Sequence, residues 1–140
     1  MCNIQKAPSI MPALGRMLTS IIFILSGVAM LAAPAAAIGY IGSTGLPLAT
    51  LGFAVSVSIE IGGGLLLLVG YQTRRVALLL ALFTMVTALI FHHAFVDQYR
   101  MIYLVKNLST AGGLLQMAAL GAGAFSFDES ALLPSGQKDQ

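Results

Sequence analysis

Four runs of about 20 largely apolar residues, joined by connections of only a few residues, leave this chain few folds to adopt. A helix rising 1.5 Å per residue needs about 20 residues to cross the hydrocarbon core of a bilayer. The runs cover 17–38, 46–70, 76–95 and 101–125. Arg16 opens the first, and Glu60 is the one charge inside the second. Arg74 and Arg75 enter the third, which closes on His92, His93 and Asp97, and Lys106 is the one charge inside the fourth. The remaining sequence offers no way to make such runs soluble. Charged residues are 9% of the 140 and hydrophobic residues 58%, whereas soluble domains are about a quarter charged.

That balance excludes a disordered chain, a coiled coil and a secreted disulfide scaffold. Cys2 is the single cysteine, so no internal disulfide or CxxC pair exists. The net charge of +2 comes from scattered basic residues and leaves no nucleic-acid footprint. The expected fold is an all-α membrane protein, a four-helix transmembrane bundle running up-down-up-down, because short connections make sequential helices antiparallel neighbours. Lys6, Arg16, Arg74, Arg75 and Lys138 fall on one side, and Arg100 and Lys106 on the other. The positive-inside rule then puts both termini in the cytoplasm. The expected organisation is a cytoplasmic N-terminal segment (1–15), a transmembrane domain (16–127) and a polar, loose cytoplasmic tail (128–140).

The first run admits a second reading. Arg16, the apolar stretch to Met30 and the sequence Ala33-Pro34-Ala35-Ala36-Ala37 are similar to a secretory signal with an A-x-A cleavage site, whose removal would leave three spans. The stretch before Arg16 is long for the head of such a signal, which favours a retained span.

Polar residues inside the runs carry the functional reading. Gly52, Ser56, Glu60 and Gly64 share one helical face at i, i+4 spacing, with Gly62 and Gly63 beside them. Small residues of this kind let membrane helices approach closely. Gly112 and Gly113 offer the same in the fourth run. Glu60 is 14 residues from Leu46 and 10 from Gly70, near the bilayer midplane. An acidic side chain there costs roughly 2.5–3.5 kcal/mol on insertion scales. It must face other helices and either carry a proton or find a partner. One role is a protonated Glu that hydrogen-bonds a neighbouring helix; the other is a group that handles a proton or orients a ligand.

Lys106 and Asn107 lie about 8 Å in from Met101. Lys106 either snorkels to the outer surface or turns inward to Glu60 or a ligand. His92 and His93 read as hydrogen-bonding residues at the membrane interface. Adjacent histidines on one helix do not readily chelate one metal, so no metal site is expected. There is no nucleophile beside a base, no phosphate-binding glycine loop and no H-E-x-x-H motif.

Taken in order, several segments resemble the DoxX family of small bacterial inner-membrane proteins. They are Gly15-Arg16-Met17-Leu18 with Phe23-Ile24-Leu25-Ser26-Gly27, then Ser58 to Leu65 running on to Gly70-Tyr71-Gln72-Thr73-Arg74. Phe91-His92-His93-Ala94-Phe95 with Asp97 and Gln98 follows, then Lys106-Asn107-Leu108-Ser109-Thr110-Ala111-Gly112-Gly113-Leu114-Leu115, and Gly123 to Asp128 closes the set. The resemblance covers about 14–128. One departure is Met30, where many members carry a Lys after the first-helix Ser-Gly.

The resemblance implies a multi-pass protein of the bacterial inner membrane, with the lipid bilayer as its first partner. It also implies an accessory or subunit of a quinone-linked redox assembly, since the family takes its name from the membrane part of a thiosulfate:quinone oxidoreductase. On that reading Glu60, His92, His93 and Lys106 are candidate catalytic residues, and His92, His93, Lys106 and Asn107 candidate quinone contacts. Other membrane redox subunits, or further copies of the chain, would be its partners. Two alternatives stand beside it: a structural or assembly subunit with no chemistry of its own, and a small transporter. The transporter is the weaker, because no inverted repeat or broken-helix pair is visible.

Overall fold

In a computed structural model of the protein, residues 10–92 and 98–132 are described, and among them every regular element is helical. Helix α1 spans Met11–Ala32, with a proline in its first turn, where the missing N–H is no loss. It stops at Ala33 (φ −136°, ψ 65°) because the ring of Pro34 bars the preceding residue from helical geometry. A short helix α2, Pro34–Ser43, then starts on that proline. The first run is therefore not one rod over 17–38: its helix begins earlier, breaks at Ala33, and the connection between the first two runs is helical as far as Ser43.

Helix α3, Ala49–Val69, follows Leu48, which holds a left-handed backbone (φ 62°). Its turn at Ser58–Gly62 is widened to π geometry. It ends on Gly70 (φ 74°), where the Tyr71 amide donates to Leu66 O at 3.0 Å and the Gly70 amide to Leu67 O at 3.2 Å. This paired C-terminal closure needs a left-handed residue, and glycine adopts that conformation without strain. Helices α4 (Thr73–His92) and α5 (Gln98–Leu120) follow, and α6 (Phe127–Leu132) closes the described chain.

The helices α1, α3 and the Thr73–Phe91 part of α4 are long and apolar enough to cross a membrane, each with mean hydropathy 1.9. The fourth run differs. At 23 residues α5 is long enough, but Lys106, Asn107, Ser109, Thr110 and Gln116 hold it below the hydropathy of the other three. The expected loose tail is also corrected in part. Residues 127–132 are helical, and Asp128 is bonded to the start of α4; residues 1–9 and 133–140 lie outside the described residues.

At one end of the molecule Arg16 of α1, Gly70 after α3, Thr73 of α4 and the segment following α5 come together. So α1 and α4 run away from this end, and α3 and α5 run towards it. Helix α4 packs most extensively on α5, α1 on α3, and α3 on α4; the contact between α1 and α5 is slight. Phe23, Leu67, Val76, Ala77, Leu80, Ala81 and Leu114 form the buried cluster. The outside is apolar too, with Leu18 at 66% and Leu89 at 69% exposed, as expected where lipid is the solvent.

Glycines set the closest contact. A Cβ at Gly64 would stand 2.8 Å from Ile24 Cγ1 and 3.3 Å from the backbone of Ser20 and Ile24, and one at Gly63 would stand 2.8 Å from Leu80 Cδ2. Gly52 sits against Ile41 of α2. Gly62, Gly112 and Gly113 have open space where a Cβ would go. Gly64→Ala is expected to lower stability by about 1–3 kcal/mol, the range for overpacking a tight contact, whereas Gly62→Ala should leave it nearly unchanged. Thermal unfolding of both variants in detergent checks this; equal effects would contradict the packing described.

Candidate functional site

Between the helices lies a cavity of about 380 Å³. Helical periodicity explains its lining, since residues three or four apart share a face. Ser26 and Met30 come from α1, Ser56 and Glu60 from α3, Thr84, Thr87 and Phe91 from α4, and Asn107 and Thr110 from α5. Tyr40 of α2 closes one end by stacking on Phe91, the rings 5.2 Å apart and inclined by 13°. Phe23 and Phe83 complete the apolar part of the wall. The result is a ring of hydroxyls, one amide and one carboxyl set in aromatic and aliphatic surface.

Glu60 occupies the centre of the π turn. Such a turn holds one residue more than an α turn and recurs at functional sites. The Ser26 hydroxyl lies close to the Glu60 carboxyl, whose Oε2 is buried without a partner. Across the cavity the Thr84 hydroxyl is also buried and unpartnered. By contrast, Thr87 Oγ1 donates to Thr84 O at 3.0 Å and Thr110 Oγ1 to Lys106 O at 2.9 Å. Buried polar atoms are nearly always paired, so Glu60 and Thr84 are the atoms a bound molecule would satisfy.

The candidates picked out from sequence separate here. Glu60 and Asn107 border the same cavity. Lys106 does not border it; its side chain is exposed, with Nζ 5.6 Å from the centre of the Tyr103 ring. Its face of α5 turns away from Glu60, so the two are not brought together. His92 ends α4, but its side chain and all of His93 lie outside the described residues. Among the described residues no three His, Cys, Asp or Glu side chains gather for a metal. Sequence reasoning passed over Ser26, Thr87 and Thr110 as site residues. Their signal was a hydroxyl one turn from another polar or lining residue, legible only once the facing helices are known.

A second polar cluster ties the helix ends together. Arg16, 4% exposed, donates from Nη1 to Ala122 O at 2.7 Å and from Nη2 to Phe125 O at 2.6 Å. The Asp128 carboxylate accepts from the Gln72 and Thr73 amides at 2.7 and 2.8 Å. It thereby caps α4 from 55 residues downstream, and its own amide donates to Gly70 O at 3.0 Å. Partial burial pushes the Asp128 carboxyl up, but the Thr73 and Gln72 amides and the nearby Arg16 charge outweigh it and hold the group below its ordinary value. A carboxyl lowered by folding stabilises the fold above its unfolded pKa and loses that effect as pH falls through the folded value. Asp128→Asn should therefore be less stable than the parent by about 1 kcal/mol at neutral pH, the scale of a helix cap. The gap should begin to narrow below about pH 4, the ordinary carboxyl value, and close as pH falls through the lower folded value. Unfolding midpoints of the two proteins across pH 2.5–7 check this, and a gap independent of pH would contradict it.

A family model described as DoxX matches residues 11–93. The Escherichia coli (strain K12) protein named "Inner membrane protein YqjF" is 36% identical over 126 residues, covering 89% of this chain and 94% of that protein. "Inner membrane protein YphA" of the same organism is 32% identical over 121 residues, covering 82% of this chain and 86% of its own. No solved structure matches.

Proposed function

The chain belongs to the DoxX family and is an integral inner-membrane protein, and from that premise we propose that it is the membrane subunit of a quinone-linked assembly, with the Glu60 cavity as the headgroup site. All four long helices cross the bilayer in this reading, α5 shielding its polar residues against the cavity or a partner. Arg16, Arg74 and Arg75 put the clasped helix ends in the cytoplasm.

The observation that carries the proposal is the Glu60 carboxyl, with one oxygen unpartnered, beside a cavity of about 380 Å³ among apolar helices. Cavities of roughly 300–1,000 Å³ with mostly apolar walls and a few directed polar groups are typical of small-ligand sites. A quinone headgroup is planar, uncharged and bears two carbonyl acceptors. The Asn107 amide and the Thr84 hydroxyl are donors for such acceptors, and Phe83, Phe91 and Tyr40 supply flat apolar surface. A bound quinone supplies two-electron, two-proton carrier chemistry. The chain's own contribution is to hold and move a proton at Glu60, with the Ser26 hydroxyl beside the carboxyl. The electrons come from a partner subunit with a redox centre, since none is evident in this sequence.

A purely structural subunit is the second reading. The face of α5 bearing Lys106, Ser109 and Gln116 is exposed, and polar residues in membrane helices usually face protein. Glu60→Gln keeps the shape and removes the acid. In the quinone reading it inserts normally and lowers quinone-linked turnover of native membranes by about 100-fold or more. Asn107→Leu should reduce the quinone that co-purifies. Unchanged turnover together with unchanged quinone content would overturn the quinone reading in favour of the structural one.

A further inference from the structure

We propose a second ligand site, at the clasped end of the seam between α1 and α5, that takes the phosphate of an anionic phospholipid. A separate cavity of about 400 Å³ lies there, bordered by Arg16 of α1, Thr73 of α4 and Gln116 of α5. Arg16 is 4% and Thr73 1% exposed. The two terminal nitrogens of Arg16 donate to Ala122 O and Phe125 O, and its Nε–H is buried with no acceptor. The Thr73 hydroxyl lies close to Asp128 without a well-formed hydrogen bond. Two buried residues thus border one cavity, Arg16 with an unmet Nε–H and Thr73 with a hydroxyl that has only Asp128 nearby. Paired donors are the rule in protein interiors.

Charge selects the occupant. Arg16 is the one charged residue that borders this cavity; Asp128, which lies behind Thr73 and near Arg16, lines the neighbouring groove with Glu129, Arg74 and Arg75. A guanidinium with a free N–H, a hydroxyl and the Gln116 amide make a donor set suited to phosphate oxygens. Shape selects a lipid over a free anion. Gly15 and Gly113 border the cavity, and each has open space where a Cβ would stand. That space lies along the seam between α1 and α5, whose contact is slight, next to the apolar Met117, so it can admit an acyl chain beside the headgroup. Lipid phosphates lie at the depth where a span ends, which is where Arg16 sits in α1, and basic residues at that depth favour anionic lipids.

The test uses the full chain purified in detergent and supplied with phosphatidylglycerol, phosphatidylcholine or inorganic phosphate, with bound lipid counted by native mass spectrometry. The parent protein should retain phosphatidylglycerol with about tenfold preference over phosphatidylcholine, the scale of one charge-assisted contact. Gly113→Leu fills the open space and leaves both Arg16 bonds in place; it should lose the preference while keeping its unfolding midpoint in phosphatidylcholine. Thr73→Val, which removes one donor, should weaken it in the same direction. Equal retention of phosphatidylglycerol by the parent and Gly113→Leu would overturn the site. Stabilisation by inorganic phosphate as large as that by phosphatidylglycerol would overturn the assignment to a lipid.

Discussion

The contact between α1 and α3 is made almost backbone to backbone, and the rest of the arrangement depends on it. Gly64 brings α3 against Ser20 and Ile24, and Gly27 brings α1 against Ile61 and the Cβ of Glu60. Lipid offers these helices no hydrophobic drive to associate, so close van der Waals contact has to do it. A Cβ at Gly27 would stand 2.5 Å from Ile61 Cγ1, on the residue next to Glu60, and would force the two helices apart there. The same two glycines that hold the pair together therefore set where the carboxyl stands.

The π turn completes that placement. It lies between the α2-facing half of α3, marked by Gly52, and the α1-facing half, marked by Gly64. Ser56 and Glu60, four residues apart, face the cavity, and beyond the extra residue Gly63 and Gly64 lie on packing surfaces instead of continuing that face. On the opposite wall α4 presents Thr84 and Thr87 from a face whose neighbours Leu80, Ala81 and Ala88 are buried. Packing and polarity thus alternate along single helices rather than being divided between them.

Much of this was legible in the sequence. The bilayer as solvent followed from the scarcity of charge. Glu60 stood out because a lone acid within an apolar run demands a reason, and Asn107 came with it through its place beside Lys106. What the sequence concealed has a physical cause in each case. The break at Ala33 depends on a proline that the hydropathy of the run outweighed. Ser26, Thr87 and Thr110 are ordinary helix residues until the facing helix is known. Lys106 carries as strong a signal as Glu60, yet one residue of rotation, about 100°, separates its face from that of Asn107. The role of Asp128 was hidden because its partners at Gln72 and Thr73 are distant in sequence, and a polar stretch after the last span resembles any tail.

The clasp at Arg16 also bears on how the protein is made. Its acceptors are carbonyls of residues 122 and 125, and the cap on α4 is residue 128, so both are completed by the final part of the described chain. During synthesis α1 enters the membrane with an unpartnered guanidinium, and α4 with bare amides, long before those partners leave the ribosome. A product truncated before residue 122 would keep α1, α3 and α4 yet leave the Arg16 guanidinium without these two acceptors.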